Sequence, residues 1–476
     1  MRVELDGWLE TFDRRFNSGV CESYAADLNT PALGRDQIPV LAEADVRISR
    51  IIADPNYRLN LGAVTTDALA DVGHGSLGLA IGLTDRIMIF GRMPLVRTRV
   101  QPTTELNASG SDAGLNPGEA VQLPFFQDFD AALATLAAKL AGGDYSATPA
   151  TQALAEVTLA DATALRDDLF GLLADPATAS PVVPTTAGVS GSTVLTRVAD
   201  LQSTLATSLD VPGFTLAPEL AAEPLSEPEL RQLLNGPLAI RTGESQLTYR
   251  GDAEVGAALT LIDGWDQGTR RGGVRTALSA LVRLPTGLRE RSDQLLDIGT
   301  GDQQTDVQLD LTADLGTGPI GARLSGTYVR QLPSTIQMRV AEPGQIVGPS
   351  RLAFVERDPG DVLAFSVQPF VRLARTLALQ AGIQHSSRKV DEVTYASPSD
   401  ALPGVDASVL AQRTAANATM ISVGITYSNP GRVKAGGTGL PVDASWSYER
   451  VIHSGNGVVP DAHRIRGQFR MYFGLW

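Results

Sequence analysis

Residues 76–96, SLGLAIGLTDRIMIFGRMPLV, form the stretch that decides how the whole chain is interpreted. On both sides of Thr84 and Asp85, large apolar residues alternate with small or polar ones, which is the pattern of two β-strands joined by a tight turn. The apolar positions share one face and are Leu77, Leu79, Ile81, Leu83, Ile87, Ile89, Met93 and Leu95. Arg86 and Arg92 fall on the other face. The stretch therefore predicts a hairpin with one apolar and one polar face.

The same alternation returns after Asp252 and continues to the end of the chain. Its clearest example is residues 306–315, DVQLDLTADL, in which five polar residues alternate with five apolar ones without exception. We count about 12 such segments, each about as long as a tilted strand needs to cross a bilayer. The sequence offers no separate hydrophobic layer to cover so many apolar faces, so lipid is their expected contact.

The connections between these segments alternate in length. Short ones at 84–85, 316–319 and 374–376 take turns with long ones at 285–302, 333–361, 388–416 and 454–463. In an up-and-down barrel every second connection lies at the same end, so short turns gather at one end and long loops at the other. The sequence therefore predicts a mainly β protein, a 12-stranded antiparallel up-and-down transmembrane β-barrel with an inserted helical subdomain.

The helical insertion is predicted because the spacing of apolar residues changes from every second residue to the spacing of a helix. Between the two groups of strands, apolar residues recur at helical spacing, and Ser226 and Glu229 form a capping-box motif ahead of a short helix. The predicted organisation is a lead-in with a short amphipathic helix (1–55), the first barrel strands (56–105), the inserted helical subdomain with flexible linkers (106–248) and the remaining barrel strands (249–476). An ordinary helical bundle without a ligand is favoured for the insertion over a partner-binding domain.

Composition narrows the function classes. A net charge of −14 without a clustered basic patch argues against a nucleic-acid partner. No run of about 18 apolar residues is present, so membrane residence would come from strands. Cys21, the only cysteine, cannot form an internal disulfide. The N-terminus carries charges where a signal peptide has an apolar centre, so either an export signal lies upstream of Met1 or the chain is not exported.

Charged residues of both signs have inward parity in the predicted barrel and are the candidates for lining its lumen. They are Arg92, Asp252, Glu254, Arg275, Arg283, Asp306, Asp310, Asp314, Arg323, Arg372, Asp443, Glu449, Arg464, Arg466 and Arg470. A barrel of about 12 strands is narrow enough for such side chains to fill or constrict it. Two interpretations stay open: an interior closed by arginine–carboxylate pairs, and a solute path lined by the same residues.

Catalytic and metal-binding motifs are weak. The known outer-membrane phospholipase is also a 12-stranded barrel with Ser, His and Asn, and the matching candidate here is residues 453–457, HSGNG, near Asp461 and His463. Ser454 is adjacent in sequence to His453 and cannot easily receive a hydrogen bond from it, whereas Ser-Gly-Asn-Gly is ordinary turn chemistry. His74, His385, His453 and His463 lack ligand spacing. We therefore predict no enzyme, no metal and no cofactor.

Three segments carry a family resemblance: GLAIGLTDRIMIFGRMPLVR, TALSALVRLPTG and LLDIGTGDQQTDVQLDL. They resemble bacterial outer-membrane barrels of the family of transporters of the meta-pathway of phenol degradation and, more loosely, outer-membrane channels for hydrophobic compounds. The resemblance implies an outer-membrane location and uptake of small solutes, but it assigns no substrate residue. The chain departs from the pattern at its end, because the terminal Trp476 has the parity of Arg470 and not of Phe469.

Three functions remain in order of preference. The first is an outer-membrane channel or transporter for small solutes, hydrophobic or aromatic ones among them. The second is a closed structural or adhesive barrel that presents the helical insertion to a protein partner. The third, minor alternative is a surface esterase or phospholipase. Outer-membrane lipid is the expected surrounding in each case, and the solute and the openness of the lumen are left undetermined.

Overall fold

The computed structural model describes residues 1–264, 273–434 and 436–474. The strands in chain order are β1 (Arg2–Phe12), β2 (Arg14–Asn17), β3 (Val20–Ser23), β4 (Ala63–Gly82), β5 (Ile87–Asn107), β6 (Ala113–Leu115), β7 (Val182–Pro184), β8 (Ser245–Arg250), β9 (Ala253–Asp263), β10 (Gly273–Leu284), β11 (Asp306–Thr317), β12 (Ile320–Gln331), β13 (Ser334–Arg339), β14 (Leu352–Asp358), β15 (Val362–Arg372), β16 (Leu377–Arg388), β17 (Glu392–Tyr395), β18 (Ala416–Ser428), β19 (Val442–His453), β20 (Val458–Pro460) and β21 (His463–Tyr472). The helices are α1 (Ala42–Ile52), α2 (Glu119–Gly142), α3 (Pro149–Leu173), α4 (Val189–Ser203), α5 (Glu227–Asn235) and α6 (Pro430–Lys434).

Twelve antiparallel strands of the described residues close into a barrel. Their order around the wall is β1, β4, β5, β9, β10, β11, β12, β15, β16, β18, β19 and β21, and β21 pairs with β1 to complete the ring. Closure leaves no unpaired strand edge in the wall, which is the condition for a sheet to cross a bilayer. The fold class predicted from the sequence is confirmed.

The first strand of the barrel corrects the sequence interpretation. Residues 1–55 were expected to be a lead-in. Within 56–105, the alternation of Leu59, Leu61 and Ala63 with polar or small residues predicted the first strand. Instead β1 pairs with β4 on one side and β21 on the other, whereas Leu59 and Leu61 are buried in an apolar core outside any strand. The alternation in β1 is interrupted on its apolar side by Gly7, which weakens the local signal. The predicted number of strands is right only because two errors cancel. The strand β1 was missed, and a strand was predicted near Leu59 and Leu61 where the structure has none.

Side chains on the two faces of the wall differ as the alternation predicts. Leu309 and Leu311 on β11 are 44% and 51% exposed on the outside, whereas Asp310 between them is half-buried on the inside. The other strands show the same arrangement, with exposed apolar residues such as Leu79, Phe365 and Val423 on the outer face. The barrel therefore presents an apolar band outward and polar groups inward.

The connections divide the barrel into two unlike ends. At the short-turn end lie the turns 83–86, 318–319 and 373–376 and the N-terminus, where the Met1 amino group donates to the carbonyl of Phe473 at 2.9 Å. At the long-loop end lie the long connections, including the segment that holds α2–α5. The C-terminal Leu475 and Trp476, whose parity the sequence analysis considered, lie outside the described residues.

A helical body stands at the long-loop end. Its core joins α1 to α2, α3 and α4, and its largest fully buried side chains include Ile48, Phe129, Leu136 and Leu169. The helix expected in the lead-in thus packs with the helices that follow β5. Ser226 and Glu229 form the capping box of α5. In the part of the chain that the structure describes, no helix combines the length and apolar character needed to cross a bilayer.

Candidate functional site

A row of charged residues crosses the inner wall, and we call it the charge row. Its members, each directly opposite the next on a neighbouring strand, are Asp443, Arg470, Glu4, Gly78, Arg92, Glu254, Arg283 and Asp306. Negative and positive side chains alternate along it, with Gly78 as the single neutral step. Because barrel strands are tilted and staggered, the row rises from the short-turn end at Asp443 to the long-loop end at Asp306.

The ion pairs of the charge row link neighbouring strands and, past Gly78 on β4, also link β5 with β1. Glu4 lies between Arg470, whose Nε is 3.1 Å from Glu4 Oε1, and Arg92, whose Nη2 is 3.7 Å from the same oxygen. Glu254 lies between Arg92 at 3.5 Å and Arg283 at 3.4 Å. Arg283 Nη1 also contacts Asp306 Oδ2 at 2.8 Å. Each of these carboxylates therefore lies beside a guanidinium of opposite charge. The attraction between them offsets part of the free-energy cost of removing both charges from water.

The acidic partners on β1 were missed by the sequence analysis. Asp6 accepts two hydrogen bonds from Arg466, at 3.0 and 3.2 Å, and Glu10 accepts from Arg464 Nε at 2.7 Å. The signal was present, because Glu4, Asp6 and Glu10 alternate with apolar residues in this short stretch. It was not used because the stretch was assigned to the lead-in.

Most of the other predicted lumen residues also pair across strands. Arg323 Nε donates to Asp314 Oδ1 at 2.7 Å, Arg275 lies 3.7 Å from Asp263, and Arg464 lies 3.6 Å from Glu449. Asp310 accepts hydrogen bonds from Ser279, Gln308 and Thr327. Arg372 lies over the ring of Phe370, with 5.6 Å between its guanidinium carbon and the ring centroid.

Asp252 differs from the other predicted lumen residues in its contacts. It precedes β9, and its carboxylate accepts hydrogen bonds from the backbone N–H groups of Gly287 at 2.7 Å and Asp302 at 3.2 Å. Its neighbour Gly251 packs against β5 and Thr300, and a Cβ there would contact Pro94 at 2.9 Å. Asp252 therefore anchors the long connection between β10 and β11. It lies immediately before β9 and not on the strand itself.

The wall formed by β12, β15, β16 and β18 carries neutral polar contacts. The hydroxyls of Ser325 and Ser366 are 2.6 Å apart, and Thr426 donates to the side-chain oxygen of Gln380 at 3.0 Å. Several inward arginines keep contact with solvent, since the side chains of Arg323 and Arg466 are 51% and 41% exposed. The lumen at the level of these residues is therefore accessible to water.

An apolar cluster lies inside the barrel at the long-loop end, and we call its loop residues the plug. These residues are Tyr24, Leu28, Leu296 and Ile298, which come from two connections and fold inward. They pack against inward residues of the wall, namely Trp8, Phe12, Ala70, Val72, Val96 and Val100. Thr98 on β5 donates a hydrogen bond from its hydroxyl to the carbonyl of Ile298 at 2.8 Å. Apolar side chains from two loops thus cover the inner face of β1, β4 and β5 near this mouth of the barrel.

Two carboxylates hold the plug segments in place. Burial opposes ionisation of Asp297, but hydrogen bonds from Arg291 and Ser245 outweigh it and lower the pKa of this carboxyl. Burial likewise opposes ionisation of Asp27, whereas hydrogen bonds from Arg15 and Arg413 lower its pKa. Both carboxylates are therefore ionised at neutral pH, and each ties a plug segment to a neighbouring segment.

The serine considered as a nucleophile has another role. Ser454 is fully buried, and its hydroxyl donates to the carbonyl of Asn456 at 3.0 Å within the same turn. His463 Nδ1 is 2.7 Å from the hydroxyl of Tyr448. His74 stacks on Trp8 with ring centroids 5.2 Å apart. Among the described residues, no three His, Cys, Asp or Glu side chains are grouped so as to hold a metal ion.

A closed antiparallel barrel with an apolar outer band, a polar lumen and unequal ends is the architecture of membrane-spanning β-barrels. No protein-family model matches the sequence, and no curated protein matches it significantly. Among solved structures, the chain is similar to an outer-membrane channel from Pseudomonas putida F1, with 11% identity, 99% of this chain and 95% of that chain covered, and a TM-score of 0.44.

Two further solved structures show the same kind of similarity. A mutant of the monoaromatic hydrocarbon channel TodX has 9% identity, with 99% of this chain and 89% of that chain covered and a TM-score of 0.33. The transport unit of the autotransporter AIDA-I from Escherichia coli has 6% identity, with 100% and 90% covered and a TM-score of 0.32. Similarity at this level does not by itself indicate a shared function.

Proposed function

We propose that this protein is an outer-membrane channel for small solutes, hydrophobic or aromatic ones among them, whose long-loop mouth is closed by the plug. The observation that supports this proposal best is the combination of a water-accessible polar lumen with a separate closing element. A barrel that served only as an anchor could be filled by the side chains of its own wall. Here loop segments pack against the inner wall near the mouth, while arginines lower in the lumen remain in contact with solvent.

The proposed location is the outer membrane. The argument is the apolar outer surface of the wall, together with the unequal lengths of the connections at its two ends. Strands joined by short turns at one end and long loops at the other, with an apolar band between, are typical of outer-membrane barrels. In such barrels the short turns lie on the periplasmic side. The plug and the helical body would then face the cell exterior.

The electrostatics of the lumen favour solutes without a strong net charge. Opposite charges alternate along the charge row, so their fields largely cancel at a distance. The facing wall contributes hydroxyl and amide groups. The predicted lumen residues are accordingly proposed to set the polarity of the path and not to bind one ion. This assignment concerns the residues on the strands and excludes Asp252.

A small cavity with a mixed apolar and polar lining, which includes Glu227 and Arg231, lies beside the plug. Its volume is about 40 Å³, and its lining includes Leu28 of the plug together with Leu33, Val64, Leu234 and Ile346. The hydroxyls of Thr66 and Thr104, 3.2 Å apart, provide a polar contact on its wall. A cavity of this size holds a few water molecules but no aromatic ring, so the proposed solute class rests on the lumen and not on this cavity.

The proposal is tested by single-channel recording of the purified full chain in planar bilayers. Ile298→Ser introduces an unpaired hydroxyl into the apolar plug, and we expect more frequent openings than in the wild type. Leu373→Ser, at an exposed position of a short turn, is the control and leaves the recordings unchanged. If neither the wild type nor Ile298→Ser shows openings, the channel proposal is wrong and the closed-barrel alternative is favoured.

A further inference from the structure

The outer face of the wall has a depression where three neighbouring strands carry glycine. Gly75 on β4, Gly7 on β1 and Gly467 on β21 lie directly opposite one another, between Leu95 and Trp446. A Cβ atom added at Gly75 or Gly467 would meet nothing within 4 Å. Elsewhere on this face apolar side chains stand out from the sheet, but here the surface falls to the backbone.

A surface cavity continues this depression towards the long-loop end. Its volume is about 390 Å³, and its lining includes Leu9, Thr11, Gly73, Tyr448, Ile465 and Arg97. We call the glycine row and this cavity together the outer groove. It has an apolar floor, since Leu9 is 68% exposed and Ile465 is 48% exposed. The hydrogen bond between Tyr448 and His463 closes its far side.

The polar rim of the outer groove contains two arginines, Arg97 and Arg99, near one carboxylate, Glu244. Arg99 forms two hydrogen bonds to Glu244, at 2.7 and 3.1 Å, and lies opposite Asp71. The side chain of Arg97, by contrast, is exposed and forms no hydrogen bond or ion pair with any described residue, although, after the hydrogen bond from Arg99, its charge also contributes to lowering the pKa of Glu244. It is therefore the cation at this rim that is free to bind an anion from outside the protein.

We propose that the outer groove binds one phosphate-bearing lipid, with an acyl chain along the glycine row and the phosphate on Arg97. A guanidinium matches a phosphate bidentately, and an acyl chain laid against bare backbone gains contact area that protruding side chains would prevent. In the outer groove a charged rim is followed by an apolar lining, just as the charged headgroup of a lipid is followed by its acyl chain. This inference rests on the membrane location in the proposed function and is independent of conduction.

The test uses native mass spectrometry of the full chain released from vesicles of equal parts phosphatidylglycerol and phosphatidylcholine. We expect retained phosphatidylglycerol on the wild type. Gly467→Leu and Gly75→Leu fill the groove without a clash and abolish the retained lipid. Arg97→Gln removes one charge-assisted contact and lowers phosphatidylglycerol retention about tenfold. Ala381→Leu on the opposite side of the outer wall and Arg86→Gln at the short-turn end are matched controls that retain lipid as the wild type does.

Vesicle flotation and single-channel recording distinguish a failure of the lipid-site proposal from a failure of the proposed function. Insertion of each variant into vesicles is checked by flotation, and a chain that does not insert contradicts the membrane location itself. If the inserted groove variants and Arg97→Gln retain as much lipid as the controls, the outer groove is not a lipid site. Loss of lipid in the variants with unchanged single-channel behaviour supports the site whether or not the barrel conducts.

Discussion

Arg92 reaches Glu4 across a strand that has no side chain between them. The two residues lie on β5 and β1, and Gly78 on the intervening β4 is directly opposite both. A Cβ atom at Gly78 would be 3.1 Å from Arg92 Cγ and 3.5 Å from Glu4 Cβ. The missing side chain thus allows the charge row to continue through this strand. A hydrophobic or polar residue there would divide it into two parts.

The first prediction concerns this glycine. Gly78→Val inserts two methyl groups beside Arg92, so we expect a loss of about 1–3 kcal/mol in the free energy of unfolding. Urea unfolding in lipid vesicles measures it. Gly75→Val on the outer face of the same strand has open space around its Cβ and is the control. Equal stability of the two variants would show that the continuity of the row does not depend on Gly78.

The second prediction compares two arginines of the lumen. Arg283→Gln leaves Asp306, whose side chain is 1% exposed, without its cation, and we expect a loss of about 3–5 kcal/mol. Arg323→Gln breaks a pair with Asp314 in which the arginine is half exposed, so we expect less than about 1 kcal/mol. Unfolding of both variants under the same conditions checks the difference. Similar losses would contradict the burial argument.

The third prediction concerns pH. The pKa values of Asp27 and Asp297 are lowered because hydrogen bonds from arginines outweigh the effect of burial. A carboxyl with a lowered pKa stabilises the folded state above its ordinary pKa of about 3.9, and this contribution is lost as the pH falls through the lowered value. We therefore expect channel openings to increase below about pH 4. Asp297→Asn should show frequent openings already at neutral pH. If recordings of the wild type do not change between pH 6 and pH 3, the carboxylates of Asp27 and Asp297 do not hold the plug in place.

The fourth prediction addresses the serine. Ser454→Ala removes a hydroxyl that is buried and bonded to Asn456, so any ester hydrolysis by the purified protein should be unchanged. Hydrolysis of a short-chain nitrophenyl ester by the wild type and the variant measures it. Thermal unfolding serves as the control, because loss of one turn hydrogen bond costs only about 1 kcal/mol. Activity present in the wild type and absent in the variant would restore the esterase alternative.

The sequence by itself determined the barrel, because a side-chain period of two is a local property that each strand shows on its own. It also determined the two unlike ends through the lengths of the connections. It gave the helical segments and the inward charges of β5 and of most later strands for the same reason. It failed at β1, where Gly7 interrupts the apolar face.

Only the tertiary structure decided how these parts meet. Glu4 pairs with Arg470 from the other end of the chain, and register across strands so distant in sequence leaves no local trace. The plug depends on two connections that fold inward, and the outer groove depends on Gly7, Gly75 and Gly467 arriving at one level. These alignments of residues on different strands are set by closure of the whole barrel. The position of each strand along the barrel axis is fixed by its register with both neighbouring strands.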